Sequence, residues 1–309
     1  MDIYVLGALD VRENGVSIAP SAPKPRQVLA LLALHADRVV SIAALIEELW
    51  AGSPPRSART TLQTYVLQLR ELIALALCTQ VPGAHRGPAA PAGQAGQAGQ
   101  AGGPRSAKEV LVTSPGGYLL AGVGGSSDVR EFDRLAGMGY RAMDAGDFPG
   151  AARKLREALG LWTGSAFADV QMGAQLEMEA RRLDESRLCA LDQRIEADLR
   201  LGRHRELLAE LTVLTSRFRT HENLHAQFML ALYRSGRRGE ALDVYHRLRT
   251  TLVRDLGLEP STRLRRLQQS ILVASPEAPL PADRLAPAAP LTAPVAPAAV
   301  AAPLTPAAP

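Results

Sequence analysis

Three glycines constrain the second half of this chain more than any other feature. Gly146-Asp147-Phe148-Pro149-Gly150-Ala151 aligns with Gly202-Arg203-His204-Arg205-Glu206-Leu207 and with Gly236-Arg237-Arg238-Gly239-Glu240-Ala241. Glycine accepts the left-handed backbone that closes a helix, so each glycine marks one helix end with the next helix starting a few residues later. Gly202 and Gly236 are 34 residues apart, a period typical of stacked helix pairs. Small or apolar residues at 151, 207 and 241, followed by bulky ones at 155, 211 and 245, suit the packing of such pairs. The pattern predicts Phe148, Leu155, Leu211 and Tyr245 in the core. The first interval, 56 residues, needs an extra helix, which Leu183–Leu201 supplies. Asp128 to Val273 therefore reads as an all-helical array, and such arrays present concave surfaces to partners.

The first 120 residues have a different grammar. Ile3–Val11 reads as a strand, Asn14-Gly15 as a tight hairpin turn and Val16-Ser17-Ile18 as a return strand. Pro20, Pro23 and Pro25 end that sheet. A helix is predicted from about Arg26 to Ala36, with Val28, Leu29, Leu32 and Ala33 inward, and Ser41 caps a second in which Leu45, Leu49 and Trp50 face inward. Val110–Thr113 and Tyr118–Leu120 form strands around the turn Ser114-Pro115-Gly116-Gly117.

The third helix carries the chemistry. Reading it from Ser53 as cap and Pro54 as first residue places Ala58, Leu62, Val66, Leu69 and Ile73 on one stripe. Arg56, Thr60, Gln63, Thr64, Leu67 and Gln68 fall opposite, flanked by Arg59 and Arg70, and no acidic residue lies between Pro54 and Arg70. A solvated helix face usually mixes both signs. A face of Arg, Gln and Thr alone suits phosphates and base edges, arginine matching guanine and glutamine adenine. Strands, three helices and a closing hairpin make a winged helix-turn-helix, whose third helix enters the major groove while the hairpin wing lies on the backbone or minor groove. The expected fold is mainly α with a small β component: a winged helix-turn-helix domain followed by an all-α tetratricopeptide-like domain.

Bulk charge adds little. The net charge is +4, with 10 basic and 8 acidic residues in 1–120 and 24 and 21 in 121–275, so the local acid-free run is the better sign of nucleic acid. Only three basic residues are lysine, a bias that can reflect a GC-rich genome. Cys78 and Cys189 are far apart and show no metal spacing. No signal-peptide pattern or membrane-length apolar run occurs, so a soluble, cytoplasmic, nucleoid-associated protein without membrane contact is expected. Residues 82–108, rich in Gly, Ala, Pro and Gln with Ala92-Gly93-Gln94 repeated through Gln100, read as a flexible insertion, 121–127 as a hinge, and 276–309 as a disordered Pro/Ala-rich tail.

Other constellations are weaker. No phosphate-binding Gly-Lys-Ser/Thr loop is present. His221 and His225 have the spacing of two metal ligands on one helix face but no third ligand, and a surface pair is the simpler reading. Ser165, Asp169 and His221 lack a nucleophile elbow. Trp162 and Phe148 fit a core better than a ligand stack. The chain is expected to be no enzyme, with no catalytic residue, cofactor or metal. Lys24 and Arg26 can either serve the surroundings of the first helix or contact phosphates.

Several motifs resemble the family of Streptomyces antibiotic regulatory proteins: Lys24–Leu32, Pro55–Val66, and Val112–Leu120 with its Ser-Pro-Gly-Gly-Tyr core. Glu196–His204, Leu230–Arg237 and Leu256-Gly257-Leu258-Glu259-Pro260 resemble the bacterial transcriptional activation domain that accompanies it. The resemblance covers roughly residues 1–275 without the insertion. It implies an OmpR-type DNA-binding domain over 1–120 and the activation domain over 128–275. It implies a sequence-specific activator of a secondary-metabolite (antibiotic) biosynthetic cluster, which binds direct repeats in double-stranded promoter DNA and recruits RNA polymerase with its sigma factor. Homodimers or side-by-side protomers on DNA go with that reading. Arg56, Arg59, Thr60, Gln63, Thr64, Gln68 and Arg70 are then the recognition-helix contacts; Lys24, Arg26 and the wing residues Thr113, Gly116, Gly117 and Tyr118 face the DNA backbone. The insertion between recognition helix and wing departs from the usual short connection, and no receiver-like domain precedes the helix-turn-helix, so phosphorylation control is not indicated. The alternative is a helical-repeat scaffold whose winged helix binds protein; the acid-free third helix argues against it.

Overall fold

The computed structural model describes residues 1–79, 105–122 and 124–273. The expected tail lies outside the described residues, and so does the expected insertion apart from 105–108.

The chain opens with an antiparallel sheet of β1 (Asp2–Tyr4), β2 (Asp10–Glu13) and β3 (Val16–Ser17), in that order. Asn14 and Gly15 have φ of 50° and 79°, as the predicted tight hairpin requires. The single strand expected over Ile3–Val11 is in fact two, with Ile3 opposite Val11. Between them Val5, Leu6 and Leu9 turn into the core. The backbone there bonds to distant groups instead of a neighbouring strand. Val5 and Leu6 N–H donate to the Asp128 carboxylate at 2.7 and 2.8 Å, and Leu9 N–H to Asp169 at 2.8 Å. The Val5, Leu6 and Gly7 carbonyls accept from Phe167, Thr163 and Ala168. Tertiary partners of that kind leave no trace in local alternation.

Helix α1 (Pro23–Leu34) begins at the proline pair and is buried continuously from Gln27 to Ala33. A short strand the sequence did not announce, β4 (Val39–Ser41), leads into α2 (Ile42–Trp50), where Ser41 Oγ accepts the Ala44 N–H at 3.0 Å as the predicted cap. Then come α3 (Ala58–Cys78), a single turn α4 (Ala107–Val110), β5 (Leu111–Ser114) and β6 (Gly117–Leu120). β4, β6 and β5 form a second antiparallel sheet in that order. Helix–strand–helix–helix–hairpin is a winged helix-turn-helix.

Seven helices follow: α5 (Asp128–Asp144), α6 (Phe148–Leu159), α7 (Ala174–Arg200), α8 (His204–Arg217), α9 (Glu222–Arg234), α10 (Arg238–Leu256) and α11 (Thr262–Val273). Gly146, Gly202 and Gly236 each sit between two helices with φ of 74°, 79° and 82°, so the glycine register sets the array. The extra helix demanded by the long first interval is α7, which starts at Ala174, earlier than Leu183. Leu155, Leu211 and Tyr245 are core residues. Phe148 is not: it is half-buried at the start of α6, with the Arg200 guanidinium 5.7 Å from its ring centre. From the first position of α6 its ring faces the end of α7, where Arg200 lies, rather than the apolar interior.

Two large apolar cores run through the described residues, with a small alanine cluster of Ala151, Ala152 and Ala197 where α6 meets α7. The first extends from Ile3 through the winged helix into α5, α6 and the first half of α7, up to Ala190. The second begins at Ile195 and ends at Ile271. The boundary between cores thus falls inside α7. The segment expected to be a hinge is held at Ser126, whose carbonyl accepts from Ile3 N–H at 2.9 Å and whose hydroxyl donates to Asp2 at 2.7 Å.

Candidate nucleic-acid interface

Helix α3 buries Ala58, Leu62, Val66, Leu69, Ile73 and Ala76, all but Ala58 within the first core, the stripe its sequence predicts with one residue added. Its start differs. Ser53 does not cap it, and Pro54 and Pro55 precede it as non-helical chain. A residue followed by proline is pushed out of the α region, so the Pro54-Pro55 pair cannot begin a helix at Pro54. The Pro55 carbonyl accepts the Ala58 N–H at 2.9 Å, and Ser57 stands at the cap position without a side-chain bond. Arg56 consequently lies in the turn before the helix, exposed.

The opposite face presents Arg59, Thr60, Gln63, Thr64, Leu67 and Gln68, all exposed. Spacings of three and four residues stack these side chains on one surface. Glu48 and Glu71 are the nearest carboxylates on either side in the sequence, and Glu48 is buried elsewhere. Thr64 Oγ1 donates to the Thr60 carbonyl at 3.1 Å, which leaves its oxygen as an acceptor and its methyl outward.

Of the remaining sequence-predicted residues, Lys24, Arg26 and Arg70 are engaged inside the protein. Arg70 donates from Nε and Nη2 to the Leu111 carbonyl at 3.1 and 2.8 Å and from Nη2 to Thr113 Oγ1 at 2.7 Å; it ties the helix to the first strand of the wing. In the wing, Thr113 and Gly116 are exposed, whereas Gly117 and Tyr118 are buried. Gly117 serves the sheet: a Cβ there would stand 2.2 Å from the Val40 carbonyl oxygen. Gly116, with φ of 80°, turns the hairpin. Lys24 Nζ donates to the Leu49 carbonyl at 2.6 Å, a cation closing the C-terminal end of α2. Arg26 donates to the Pro20 and Leu9 carbonyls at 3.0 and 2.8 Å and pairs with Asp169. Of the two readings open for Lys24 and Arg26, their geometry favours internal support.

Three carboxylates to which the sequence assigned no such role join this domain to the helices behind it. Glu48, on α2 and almost fully buried, accepts from the N–H groups of Gly173 at 2.6 Å, Gln175 at 2.8 Å and Leu176 at 3.3 Å. It is the N-terminal cap of α7, supplied from another domain. Gly173 has no room for a side chain, since a Cβ would stand 2.2 Å from the Glu48 carbonyl oxygen. Asp128 receives the β1–β2 loop; burial raises its carboxyl above the usual range against the pull of its bonds from Leu6, Val5 and Val129. Asp169 holds Arg26 and Leu9 N–H. The only sequence signal for Glu48 was its place beside Leu45 and Leu49 on the inward stripe of α2.

The other candidates resolve into structure. His221 caps α9 through Nδ1, with Leu224 N–H at 3.3 Å, and His225 is buried with Nδ1 3.1 Å from the His221 carbonyl. Among the described residues no group of three or more His, Cys, Asp or Glu is placed to hold a metal ion. Trp162 packs edge-on to Phe132 at 5.6 Å with Arg187 over its ring. No helix among the described residues is long and apolar enough to cross a membrane.

Comparison with known proteins matches two family descriptions to the chain: "Transcriptional regulatory protein, C terminal" over residues 19–80 and "Bacterial transcriptional activator domain" over residues 127–272. The chain is 48% identical over 296 residues to Regulatory protein DnrI of Streptomyces peucetius, covering 96% of this chain and 99% of that protein. It is 36% identical over 273 residues to Regulatory protein AfsR of Streptomyces coelicolor, covering 88% of this chain and 24% of that much longer one. Among solved structures, Mycobacterium tuberculosis EmbR in complex with low affinity phosphopeptide superposes with a TM-score of 0.75 at 32% identity, covering 91% of this chain and 66% of that one.

Proposed function

This chain belongs to the family of Streptomyces antibiotic regulatory proteins, and from that membership we propose how it works as a transcriptional regulator. Helix α3 enters the major groove of promoter DNA. Arg59 and Gln63 reach base edges, with Thr60, Thr64 and Gln68 beside them, and Arg56 meets a phosphate from the turn that leads into the helix. Thr113 and Gly116 at the exposed edge and tip of the wing lie against the backbone, positioned by the Arg70 bridge. The observation that carries this reading is the exposed, carboxylate-free face between Glu48 and Glu71.

Two protomers side by side on direct repeats would double that contact. Residues 128–273 interleave their charges, so they fit packing, protomer contact and the recruitment of RNA polymerase with its sigma factor better than DNA reading. The regulated genes are proposed to be a secondary-metabolite cluster, in keeping with the family. No step of this scheme calls for catalysis by the chain.

Footprinting on the promoters adjoining the protein's own gene tests the reading, followed by the dependence of affinity on salt. Phosphate contacts give a steep log–log slope. Arg59→Ala is expected to lower operator affinity by about 1–3 kcal/mol and relax one base position, whereas Arg56→Ala should weaken all sequences alike. Unchanged affinity and specificity in Arg59→Ala would overturn the base-reading assignment.

A further inference from the structure

One residue on the DNA-facing surface of α3 does not fit the chemistry of its neighbours. Leu67 is 57% exposed. It follows Gln63 by four residues and Thr64 by three, so it stands on the same face, one turn further along. Other partly covered apolar residues of this helix, Tyr65, Leu72 and Leu77, pack against the core; Leu67 does not. Single exposed leucines are ordinary on protein surfaces. Here, however, the nearest side chains on the same face are Gln63, Thr64 and Gln68, all exposed and all able to hydrogen-bond bases.

The limits of the DNA-facing segment also place Leu67 inside it. The next residue on this face is Glu71, an exposed carboxylate four positions on, which phosphates would repel. Leu75, exposed as well, lies beyond that charge. Leu67 is therefore the one large apolar side chain of α3 exposed between the turn at Arg56 and Glu71.

The major groove carries only one apolar group that distinguishes base pairs, the C5-methyl of thymine. We infer that Leu67 is a specificity-determining residue that reads a thymine methyl, so that each repeat of the operator carries a thymine opposite it, beside the bases met by Gln63 and Thr64. This rests on the reading of α3 as the DNA-reading helix. The selectivity comes from burial: a methyl group removed from water against a leucine is favourable in a way that a bare C5–H is not.

The test removes the methyl without touching the hydrogen-bonding code. The full chain selects its preferred duplex from a random pool. In that duplex each thymine is then replaced singly by uracil, and cytosine by 5-methylcytosine where a cytosine is put at the same position. One thymine per repeat is expected to lose about three- to fourfold in affinity as uracil, the equivalent of one buried methyl. 5-Methylcytosine should bind better than cytosine there by a similar factor. Leu67→Ala should bind the thymine and uracil duplexes equally, and Leu67→Met should keep the discrimination. Both variants alter an exposed side chain, and the wild-type comparison needs no variant. Discrimination that persists in Leu67→Ala would assign the methyl to Thr60 or Thr64 and overturn the inference, as would indifference of the wild type to every uracil. Arg59→Ala and Gln63→Ala on the same duplexes separate the two levels. If they lose affinity while no uracil effect depends on Leu67, the Leu67 inference alone fails; if they too bind as the wild type does, the reading of α3 fails.

Discussion

Glu48 binds two parts of the molecule through one carboxylate. Its oxygens take three backbone N–H groups at the start of α7, partly buried at Gly173 and Gln175 and buried at Leu176, that have no partner within the helix. Glu48→Ala is expected to cost about 2–3 kcal/mol, since hydrogen bonds to a charged group exceed neutral ones and the orphaned donors lose their hydration. Chemical denaturation of the full chain measures it, and a loss below about 0.5 kcal/mol would show that water replaces the carboxylate. His225 carries a pH dependence. Burial lowers it below its ordinary value of 6.5, with His221 and Arg247 acting in the same direction and the His221 backbone bond and Glu222 opposing. The unfolded chain therefore takes up the proton more readily than the folded one. The stability this neutral imidazole contributes is fully present above about pH 6.5 and is lost as pH falls through the folded value. His35 and His204 are lowered by burial in the same way. Stability should thus fall as pH drops below about 6.5, and His225→Gln should flatten part of that slope. An unchanged slope in the variant would place the acid sensitivity elsewhere.

At the scale of elements, α3 and the wing are held as one piece. Arg70 fastens α3 to the Leu111 carbonyl and the Thr113 hydroxyl, and β6 joins the wing to β4. Arg70→Ala should loosen the wing from α3, leaving its pairing with β4 and the exposed face of α3 unaltered. The expected result is weaker binding to all DNA sequences, with base preferences retained in a selection experiment; altered preferences would mean that Arg70 itself meets bases. Gly117→Ala attacks the same unit from the other side. Its Cβ cannot stand 2.2 Å from the Val40 carbonyl oxygen, so the pairing of β4 with β6 must open. A destabilisation of about 1–3 kcal/mol is expected by thermal or denaturant unfolding, and unchanged stability would show that β4 moves freely.

For the whole molecule, the first core decides what can be separated. It begins at Ile3 and runs to Ala190, so cutting after Leu120 removes α5, α6 and α7 from against the N-terminal sheet. It also strips Val5 and Leu6 of their Asp128 acceptor and α2 of its contact with α7. Residues 1–120 alone are therefore expected to unfold at lower temperature than the full chain and to expose apolar surface, read as binding of a hydrophobic dye. They should bind DNA more weakly for that reason. A fragment 1–120 as stable as the full chain would show that the shared core contributes nothing. In vitro transcription with the full chain, compared with a fragment that lacks the second core, then asks whether that part contributes to activation.

The architecture was legible wherever a local rule suffices. Glycine's tolerance of positive φ at 146, 202 and 236 sets the helix ends; an inward stripe at helical spacing sets the buried face of α3; a missing carboxylate marks its outer face. These depend on residues within a turn or two of one another. What the tertiary structure alone decided depends on residues far apart in the chain. The strand expected over 3–11 breaks because Asp128 and Asp169, more than 120 residues away, accept its N–H groups. Lys24 and Arg26 are drawn inward because carbonyls and a carboxylate from other elements await them. Gly117, which reads as a turn residue, is required by the approach of β4. The boundary between the two buried cores falls inside α7, away from residue 120, because apolar side chains bury wherever a neighbouring surface is complementary, and one-dimensional spacing does not record which surfaces meet.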